Sequence, residues 1–211
     1  MTFPACLNRR TFLTHCGTAA VAAPLSWQSR AQTANQTTPC QTPAAAPTFL
    51  SRLQPAVVGG GFELPDHWVW CGAPIRGEDG RDHLFASRVP KSVVFHPHWL
   101  FMSEIVRAEA DRPVGPYRLA EVVLPPRGGD YFVARSAHNP HIRKVGDLFL
   151  LLYMGTNYDG PTPTRENPEV WRSPRYLATW ARKRIGLATS KSVRGPWKRL
   201  DQPLIEPRPG E

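Results

Sequence analysis

Residues 185–197, IGLATSKSVRGPW, repeat the pattern of residues 105–117, IVRAEADRPVGPY, at an offset of 80 with no gap inside the unit. Both copies share an initial Ile, an Ala three residues later and a closing Gly-Pro-aromatic triplet. A second matched pair lies upstream, where a Pro is followed six residues later by a Gly at residues 74–80 and again at residues 140–146. Four matched features in the same order indicate an internal repeat.

Each repeat unit is predicted to form four short β-strands. Tight turns are predicted at residues 78–80 (EDG) and 145–147 (VGD), because Asp and Gly accept the backbone angles of a hairpin. Residues 148–153 (LFLLLY) are continuously apolar, as expected of a central strand covered on both faces. The predicted strands are residues 71–76, 83–88, 103–109 and 117–123 in the first unit and 138–143, 148–154, 184–189 and 197–200 in the second.

A repeating four-stranded unit of this length is typical of a β-propeller blade, so the predicted fold class is an all-β propeller of which about two of five blades are present. The predicted propeller domain spans residues 63–211, with blade one at 66–124, blade two at 130–201 and the start of a third at 202–211. A β-sandwich with coincidentally similar hairpins is the alternative. Because propellers usually have four to eight blades, the sequence predicts a truncated product or a fragment of a longer protein, which would self-associate through unpaired blade faces.

Composition agrees with a turn-rich β protein. The 211 residues include 23 Pro and 16 Gly, which interrupt helices, and 41% hydrophobic residues, which suffice for a packed core. These values exclude a wholly disordered chain and disfavour a helical bundle. The longest apolar run falls short of the ~20 residues that a membrane span needs.

The N-terminus carries an export pattern. Arg9 and Arg10 precede a Phe-Leu step and an Ala-rich stretch, and residues 29–31 (SRA) offer small residues for cleavage. We therefore predict a twin-arginine signal peptide at residues 1–31, a Pro/Thr/Ala-rich linker at 32–62, and a periplasmic or extracellular location. A disordered basic N-terminus is the alternative. Part of the net charge of +9 belongs to this segment, so the remaining basic excess is too small to predict a nucleic-acid partner.

Four segments resemble the five-bladed β-propeller glycoside hydrolases, the superfamily around glycoside hydrolase families 43, 62, 32 and 117. The segments are residues 69–75, 103–108, 138–142, and 184–190 with 195–197. The first and third look like inner strands of blades one and two, and the others are similar to the outer part of a blade. The resemblance covers residues 66–211. It implies a secreted hydrolase that cleaves a poly- or oligosaccharide with two carboxyl groups and no cofactor.

Two positions depart from the family 43 pattern. The resemblance places the general base directly before the Pro of blade one, where this sequence has Ala73, and an Asp directly after the Pro of blade two, where it has His141. The general acid of that family lies in a later blade. A non-catalytic carbohydrate-binding or degenerate propeller is therefore the second functional hypothesis. A scaffold that completes its propeller by oligomerising is the third.

Other acidic residues are candidates for the reaction. Asp130 and Glu104 are the preferred catalytic pair, and Asp66 is the third candidate. All three lie at predicted blade edges, near the expected mouth of a central funnel. For each of them a solvated or ion-paired loop acid is the alternative.

Four residues are candidates for binding the substrate. His138 and Asn139 begin a predicted inner strand, where polar side chains would face the channel and bind sugar hydroxyls; a hydrogen-bonded turn cap is the alternative. Trp68 and Trp70 are predicted to stack on a sugar face, and packing between blades is the alternative.

Two histidine pairs, a basic insertion and a cysteine are the remaining candidates for chemistry. The His pairs at residues 96–98 and 138–141 lack a nearby Cys or carboxylate at a ligand spacing, so no metal site is predicted. The insertion at residues 157–183 mixes basic and aromatic side chains, which would suit an acidic polysaccharide as well as nucleic acid; a solvated loop is the alternative. Cys71 is predicted as a buried free thiol, with a disulfide to Cys40 as the alternative.

Overall fold

The computed structural model describes residues 48–208. The predicted signal peptide and the first part of the predicted linker therefore lie outside the described residues. Of a first compact unit, Met1–Ser51, only residues 48–51 are described, and they begin a 3-10 turn at Leu50–Arg52. The second unit, Arg52–Glu211, contains all the described strands.

Eight strands form two antiparallel four-stranded sheets, each in the order of the chain. The first sheet contains β1 (His67–Arg76), β2 (Asp82–Pro90), β3 (Glu104–Ala110) and β4 (Arg118–Leu124). The second contains β5 (Ser136–Val145), β6 (Leu148–Thr156), β7 (Arg184–Ser190) and β8 (Lys198–Arg199). This arrangement is the meander of a propeller blade repeated twice, and it confirms the predicted all-β fold class.

Two short helices interrupt the connections between strands, and neither was predicted. Helix α1 (Phe95–Met102) lies between β2 and β3, and helix α2 (Pro174–Ala181) lies between β6 and β7. The start of α2 has a clear local cause. Pro174 opens the helix, and the Ser173 hydroxyl accepts a hydrogen bond of 2.9 Å from the backbone N–H of Tyr176.

The repeat holds at the predicted offset of 80 in β3 and β7. Leu84 pairs with Ala108 in the first sheet, and Leu151 pairs with Ala188 in the second. In the inner strands the predicted offset of 66, which aligned the two Pro residues, is wrong. The hairpin between β1 and β2 is longer than that between β5 and β6, which shifts the strand pairing.

The inner strands β1 and β5 contain bulges at equivalent positions. The register shifts between Trp70 and Ala73 in the first sheet and between His138 and His141 in the second. Cys71 and Asn139 lie inside these bulges with left-handed φ angles of 51° and 52°. Trp70 is thus the counterpart of His138, and Cys71 is the counterpart of Asn139.

The main core lies between the two sheets. The faces that the two sheets turn towards each other supply its side chains. The first sheet contributes Phe85 and Ile105, and the second contributes Ala137, Ile142, Phe149, Leu151 and Ala188. Trp197, from the Gly-Pro-aromatic turn of blade two, packs edge-on against Phe85 of blade one with ring centroids 5.5 Å apart. The repeated turn therefore helps to close the neighbouring blade.

The remaining two sheet faces differ. The far face of blade one is covered by its own chain: Phe62 packs on Ala108 and Tyr117, and the Tyr117 N–H donates to the Gly61 carbonyl at 2.8 Å. Gly115 allows this approach, because a Cβ there would lie 2.8 Å from the Gly61 oxygen.

The far face of blade two carries apolar side chains that are only partly covered in the described part of the chain. Leu150, Leu152 and Leu187 are half-buried, and Leu148 is exposed. The expectation that the β6 strand is covered on both faces therefore does not hold there. Self-association through this face stays a prediction. Within residues 48–208 no helix is long and apolar enough to cross a bilayer.

Candidate functional site

Because the strands are antiparallel and follow the order of the chain, their connections lie alternately at two opposite ends of the sheets. The hairpin end holds the short turns at residues 77–81, 111–117, 146–147 and 191–197, and the loop end holds the longer connections at residues 91–103, 125–135 and 157–183. The inner strands β1 and β5 both start at the loop end. All seven predicted site residues lie at or near this end.

An aromatic cluster covers the start of the inner strands. The Trp70 ring stacks on His138 with centroids 5.6 Å apart, and Trp99 from α1 meets both rings edge-on at 5.1 and 5.3 Å. Trp180 from α2 contacts Trp99 at 5.6 Å. The structure therefore brings the predicted residues Trp70 and His138 together, with two helices supplying the neighbours.

His138 is fully buried within this cluster, so its side chain does not line an open channel. Its Nδ1 lies 3.1 Å from the Asn139 amide oxygen, which can only accept, so Nδ1 carries the proton and Nε2 is left with a free lone pair. Among the described residues Nε2 has no hydrogen-bond partner. Burial lowers the pKa of His138 to about 4, and the charge of Lys183 adds to this effect.

Asn139 presents the polar group of the cluster that remains exposed. Its backbone N–H donates to the Ser87 hydroxyl at 3.0 Å, and its side-chain amide donates to the Met154 sulfur at 3.4 Å. The side chain is therefore held in place while its surface stays open. Its counterpart Cys71 is also exposed and forms no disulfide with a described residue, so the prediction of a buried thiol is wrong.

A polar cleft of about 510 Å³ lies beside the connection into β5. Its charged lining residues are Asp130, Arg182, Arg184, Asp201 and Glu206, and Tyr131, Phe132 and Asn157 complete most of the wall. The Arg184 Nε donates to Glu206 at 2.6 Å, and outside the cleft wall Arg127 donates to Asp201 at 2.5 Å. Asp130 forms no hydrogen bond or ion pair among the described contacts, so its carboxylate is free to meet a ligand.

The other predicted acids lie elsewhere. Both Nε and Nη2 of Arg88 donate to one oxygen of Glu104, at 2.8 and 2.6 Å, in a half-buried ion pair across β2 and β3. Asp66 pairs with His67 at 2.8 Å, and the hydrogen bond from His67 lowers the pKa of this exposed carboxyl. Of the three predicted acids in the described part of the chain, only Asp130 lines the cleft.

Trp68 lies apart from the aromatic cluster. Its Nε1 donates to the Val93 carbonyl at 3.2 Å, its ring is 41% exposed, and it lines a separate cavity with Lys91. A sugar-stacking role for Trp68 stays a prediction, as do the roles of Trp70, His138 and Asn139.

Several residues of the site could not be found from the sequence. Glu206 reaches the cleft because Ile205 forms a bridge to Ile185, which places residue 206 beside Arg184. No local signal in a Pro-rich segment predicts that pairing. Trp99 and Trp180 lie in the two unpredicted helices, and Trp180 belongs to the insertion whose basic and aromatic side chains predicted a binding surface or a solvated loop.

His96 and His98 are engaged in contacts with other residues. His98 donates from Nδ1 to the Val94 carbonyl at 2.8 Å and accepts at Nε2 from the Glu169 N–H at 3.1 Å. The His96 ring lies 4.2 Å from that of Trp171. Within residues 48–208 there is no group of three or more His, Cys, Asp or Glu side chains placed to hold a metal ion.

Comparison with solved structures finds glycoside hydrolases of families 43 and 117. A family 117 glycoside hydrolase of the marine bacterium Zobellia galactanivorans is similar over 64% of this chain and 38% of its own, with 15% identity and a TM-score of 0.46. A GH43 enzyme of Xanthomonas citri in complex with xylose is similar over 65% and 33%, with 14% identity and a TM-score of 0.42. A GH43 β-xylosidase/α-arabinofuranosidase from a compost metagenome, in complex with xylotriose, is similar over 64% and 35%, with 15% identity and a TM-score of 0.44.

The chain spans between a third and two fifths of the length of these enzymes. No family model and no curated protein matches it. Identities and TM-scores this low specify neither a substrate nor a reaction. The topology of the two sheets is what defines the fold.

Proposed function

We propose that this protein is an exported glycoside hydrolase that cleaves a poly- or oligosaccharide with two carboxyl groups. The observation that carries the proposal is Asp130, an acid predicted from the sequence that lies in a cleft with two further carboxylates and has no described partner. The export part rests on the pattern around Arg9 and Arg10, outside the described residues. Fractionation of cells that express the tagged full chain tests it, since retention in the cytoplasm would contradict export.

The reaction needs one carboxyl group to protonate the leaving glycosidic oxygen and a second to attack the anomeric carbon or to activate water. Asp130 supplies one of these groups in the proposal, and Glu206 in the same cleft supplies the other. Arg182 pairs with Asp159 through Nη1, and its other N–H groups can donate hydrogen bonds to sugar hydroxyls. Tyr131 has the Arg127 guanidinium over its ring and is partly exposed, so its uncovered part can contact a sugar.

The test uses the full chain and xylotriose, because a similar GH43 enzyme binds that sugar. Asp130→Asn should lower the rate of sugar release by roughly 10²–10⁴-fold at unchanged thermal stability, because an amide cannot transfer the proton. Asp147→Asn is the matched control, since this exposed acid lies in the hairpin turn at the opposite end. Glu206→Gln should lower the rate in the same way, and it should also cost up to about 1 kcal/mol of stability because the exposed pair with Arg184 is lost.

An ion-paired acid outside the cleft provides the contrast. Glu104→Gln should leave the rate nearly unchanged and lower the free energy of unfolding by about 1 kcal/mol, the size typical of a partly exposed ion pair. Full activity of Asp130→Asn would refute the assignment of that residue. If the wild-type chain binds xylotriose and other neutral oligosaccharides without cleaving them, the protein is a carbohydrate-binding propeller instead.

A further inference from the structure

Three adjoining cavities follow the segment at residues 162–168, and we call them together the basic groove. Their volumes are about 650, 360 and 310 Å³. The first and second share Met102 in their walls, and the second and third share Val93 and Thr164. The insertion of blade two thus forms one wall of the groove, and the loop after β2 forms part of the other.

The charges along the groove are mostly positive. Its walls contain Arg127, Arg135, Lys91 and Arg165, against the single acid Glu166. Arg127 is offset by Asp201, and Glu166 lies next to Arg165.

Two cations of the groove have no acidic partner among the described contacts. Arg135 donates to the Gly160 carbonyl at 3.4 Å and lies over the Tyr158 ring. The Lys91 ammonium is held by the Leu64 and Pro65 carbonyls at 3.0 and 3.1 Å. Their charges are therefore not neutralised, and they favour an anionic ligand.

Trp68 adds a fixed aromatic surface at one end of the groove. The bond from its Nε1 to Val93 fixes the ring, and the Lys91 ammonium lies 5.4 Å from the ring centroid. The ammonium lies over the ring, and the part of Trp68 that stays exposed can take a sugar ring whose negative group meets the cation. Single-stranded nucleic acid would call for successive stacking rings, whereas Trp68 is the one exposed aromatic among the groove's lining residues.

We infer that the basic groove binds an anionic oligosaccharide, with one sugar ring on Trp68 and carboxylate or sulfate groups on Lys91 and Arg135. This inference rests on the proposed carbohydrate-directed function, and it adds a binding site for acidic glycans outside the Asp130 cleft. Because the cations lie along a groove of three cavities, a chain of several sugars should bind more tightly than a monosaccharide.

The test is calorimetric titration of the full chain with four probes: an oligogalacturonate, a sulfated galactan hexasaccharide, neutral xylohexaose and a 12-residue oligothymidylate. At least one of the two anionic sugars should bind, more weakly at higher salt, and the neutral sugar should bind much less. The two anionic arms identify whether carboxylate or sulfate is the preferred group. The double variant Lys91→Gln/Arg135→Gln should weaken that binding by roughly three- to tenfold.

The matched control is Arg112→Gln/Lys191→Gln, which removes two exposed cations from turns at the hairpin end. It should leave the affinity unchanged, and Trp68→Ala should weaken binding without changing the salt dependence. Equal binding of the neutral sugar, an equal loss in the control, or tighter binding of the oligothymidylate would each overturn the inference. Cleavage of xylotriose without a preference for charged sugars would overturn it while leaving the proposed function intact. Binding of anionic sugars without cleavage of any sugar would support the basic groove and contradict the proposed hydrolase activity.

Discussion

The two ends of the blade pair are joined by different chemistry. At the hairpin end, Asp79 of blade one meets Arg194 of blade two at 2.8 Å, and Glu78 accepts a hydrogen bond of 3.1 Å from the Val193 N–H. At the loop end the joining bonds are neutral, such as the bond of 2.9 Å from the Ala137 N–H to the Ser103 carbonyl. Ion pairs and charged hydrogen bonds thus join the two blades at the hairpin end. At the loop end the blades are joined by hydrogen bonds of hydroxyl and backbone groups and by contacts between aromatic rings.

The titratable groups show what this difference teaches. Partial burial raises the pKa of Asp79, but hydrogen bonds from His83, Arg81 and Arg194 outweigh it and hold this pKa well below its usual range. The pKa of Glu109 is likewise raised by partial burial, and the hydrogen bond and charge of Arg107 outweigh this and lower it. Yet the cleft and the groove lie at the other end. Strongly shifted carboxyl groups here mark a structural ion network, so a shifted pKa alone would have pointed to the wrong end of the molecule.

Breaking the ion network should have the largest effect on stability. Arg107 is 4% exposed, donates to Glu121 at 2.8 Å and donates to the Nδ1 of fully buried His83 at 2.8 Å. Glu109 would keep Arg81 and Arg194, but Arg107→Met would leave the buried His83 nitrogen without its donor and would remove charged hydrogen bonds to Glu121 and Glu109. We therefore expect the free energy of unfolding to fall by about 3–5 kcal/mol in urea titrations. Arg182→Met, which removes one half of an exposed pair with Asp159, should cost at most about 1 kcal/mol. Equal losses of stability in the two variants would mean that the ion network at the hairpin end stabilises the protein no more than an exposed ion pair does.

Acid should destabilise the loop end first and the hairpin end at lower pH. The folded pKa of His138 lies near 4, below its usual 6.5, so unfolding takes up a proton between these values. The stability that neutral His138 contributes is complete above pH 6.5 and is lost as the pH falls towards 4, at a cost of about 3 kcal/mol. The lowered pKa values of Asp79 and Glu109 also make the protein less stable in acid, but at lower pH. The stability that these carboxylates contribute is complete above their usual pKa values of 3.8 and 4.5, and it is lost as the pH falls below them.

Urea titrations across a pH series can assign each window to its end. His138→Phe keeps a ring beside Trp70 and should flatten the dependence of stability on pH between 6.5 and 4. Asp79→Asn should flatten it only below about 4. An unchanged slope between pH 6.5 and 4 in His138→Phe would show that the loop end does not titrate there.

The smallest expected effect compares the two bulges. Cys71 and Asn139 share a left-handed φ, which costs most residues about 1–2 kcal/mol and Asn less. Cys71→Gly should therefore stabilise the protein by up to about 1 kcal/mol in thermal melts, after the entropy that Gly adds to the unfolded chain. Asn139→Gly should destabilise it, because the bond to His138 is lost. Changes of the same sign at both positions would contradict this expectation, because they would show that the hydrogen bond to His138 does not set the Asn139 bulge apart from the Cys71 bulge.

Much of the fold could be predicted because short stretches of sequence determine the strands and turns. The apolar run in β6 and the turn residues around Gly80 and Gly146 locate hairpins, and the repeated Gly-Pro-aromatic turn fixes the third and fourth strands of each unit. The inner strands could not be aligned correctly, because a bulge and a longer hairpin shift the pairing without leaving a sequence signal. Aligned prolines were the visible feature, and they do not occupy equivalent places.

The candidate site was predicted only in part. Asp130 lines a cleft, and Trp70 and His138 are in contact. The predicted partner Glu104 instead pairs with Arg88, because the register of β2 and β3 places these two residues opposite each other. Pairings between distant strands of this kind, like the approach of Glu206, depend on tertiary structure that a single sequence does not display.

The packing of Trp197 on Phe85 has a consequence for how the protein is made. The ribosome synthesises Val193 115 residues after its partner Glu78, and at roughly 5–20 residues per second this takes about 6–23 s. During that interval the nascent first blade displays Phe85, which is fully covered in the finished fold, without the ring that caps it. Translation speed across the codons between Glu78 and Val193 therefore sets how long this apolar side chain stays open to chaperones or to neighbouring nascent chains.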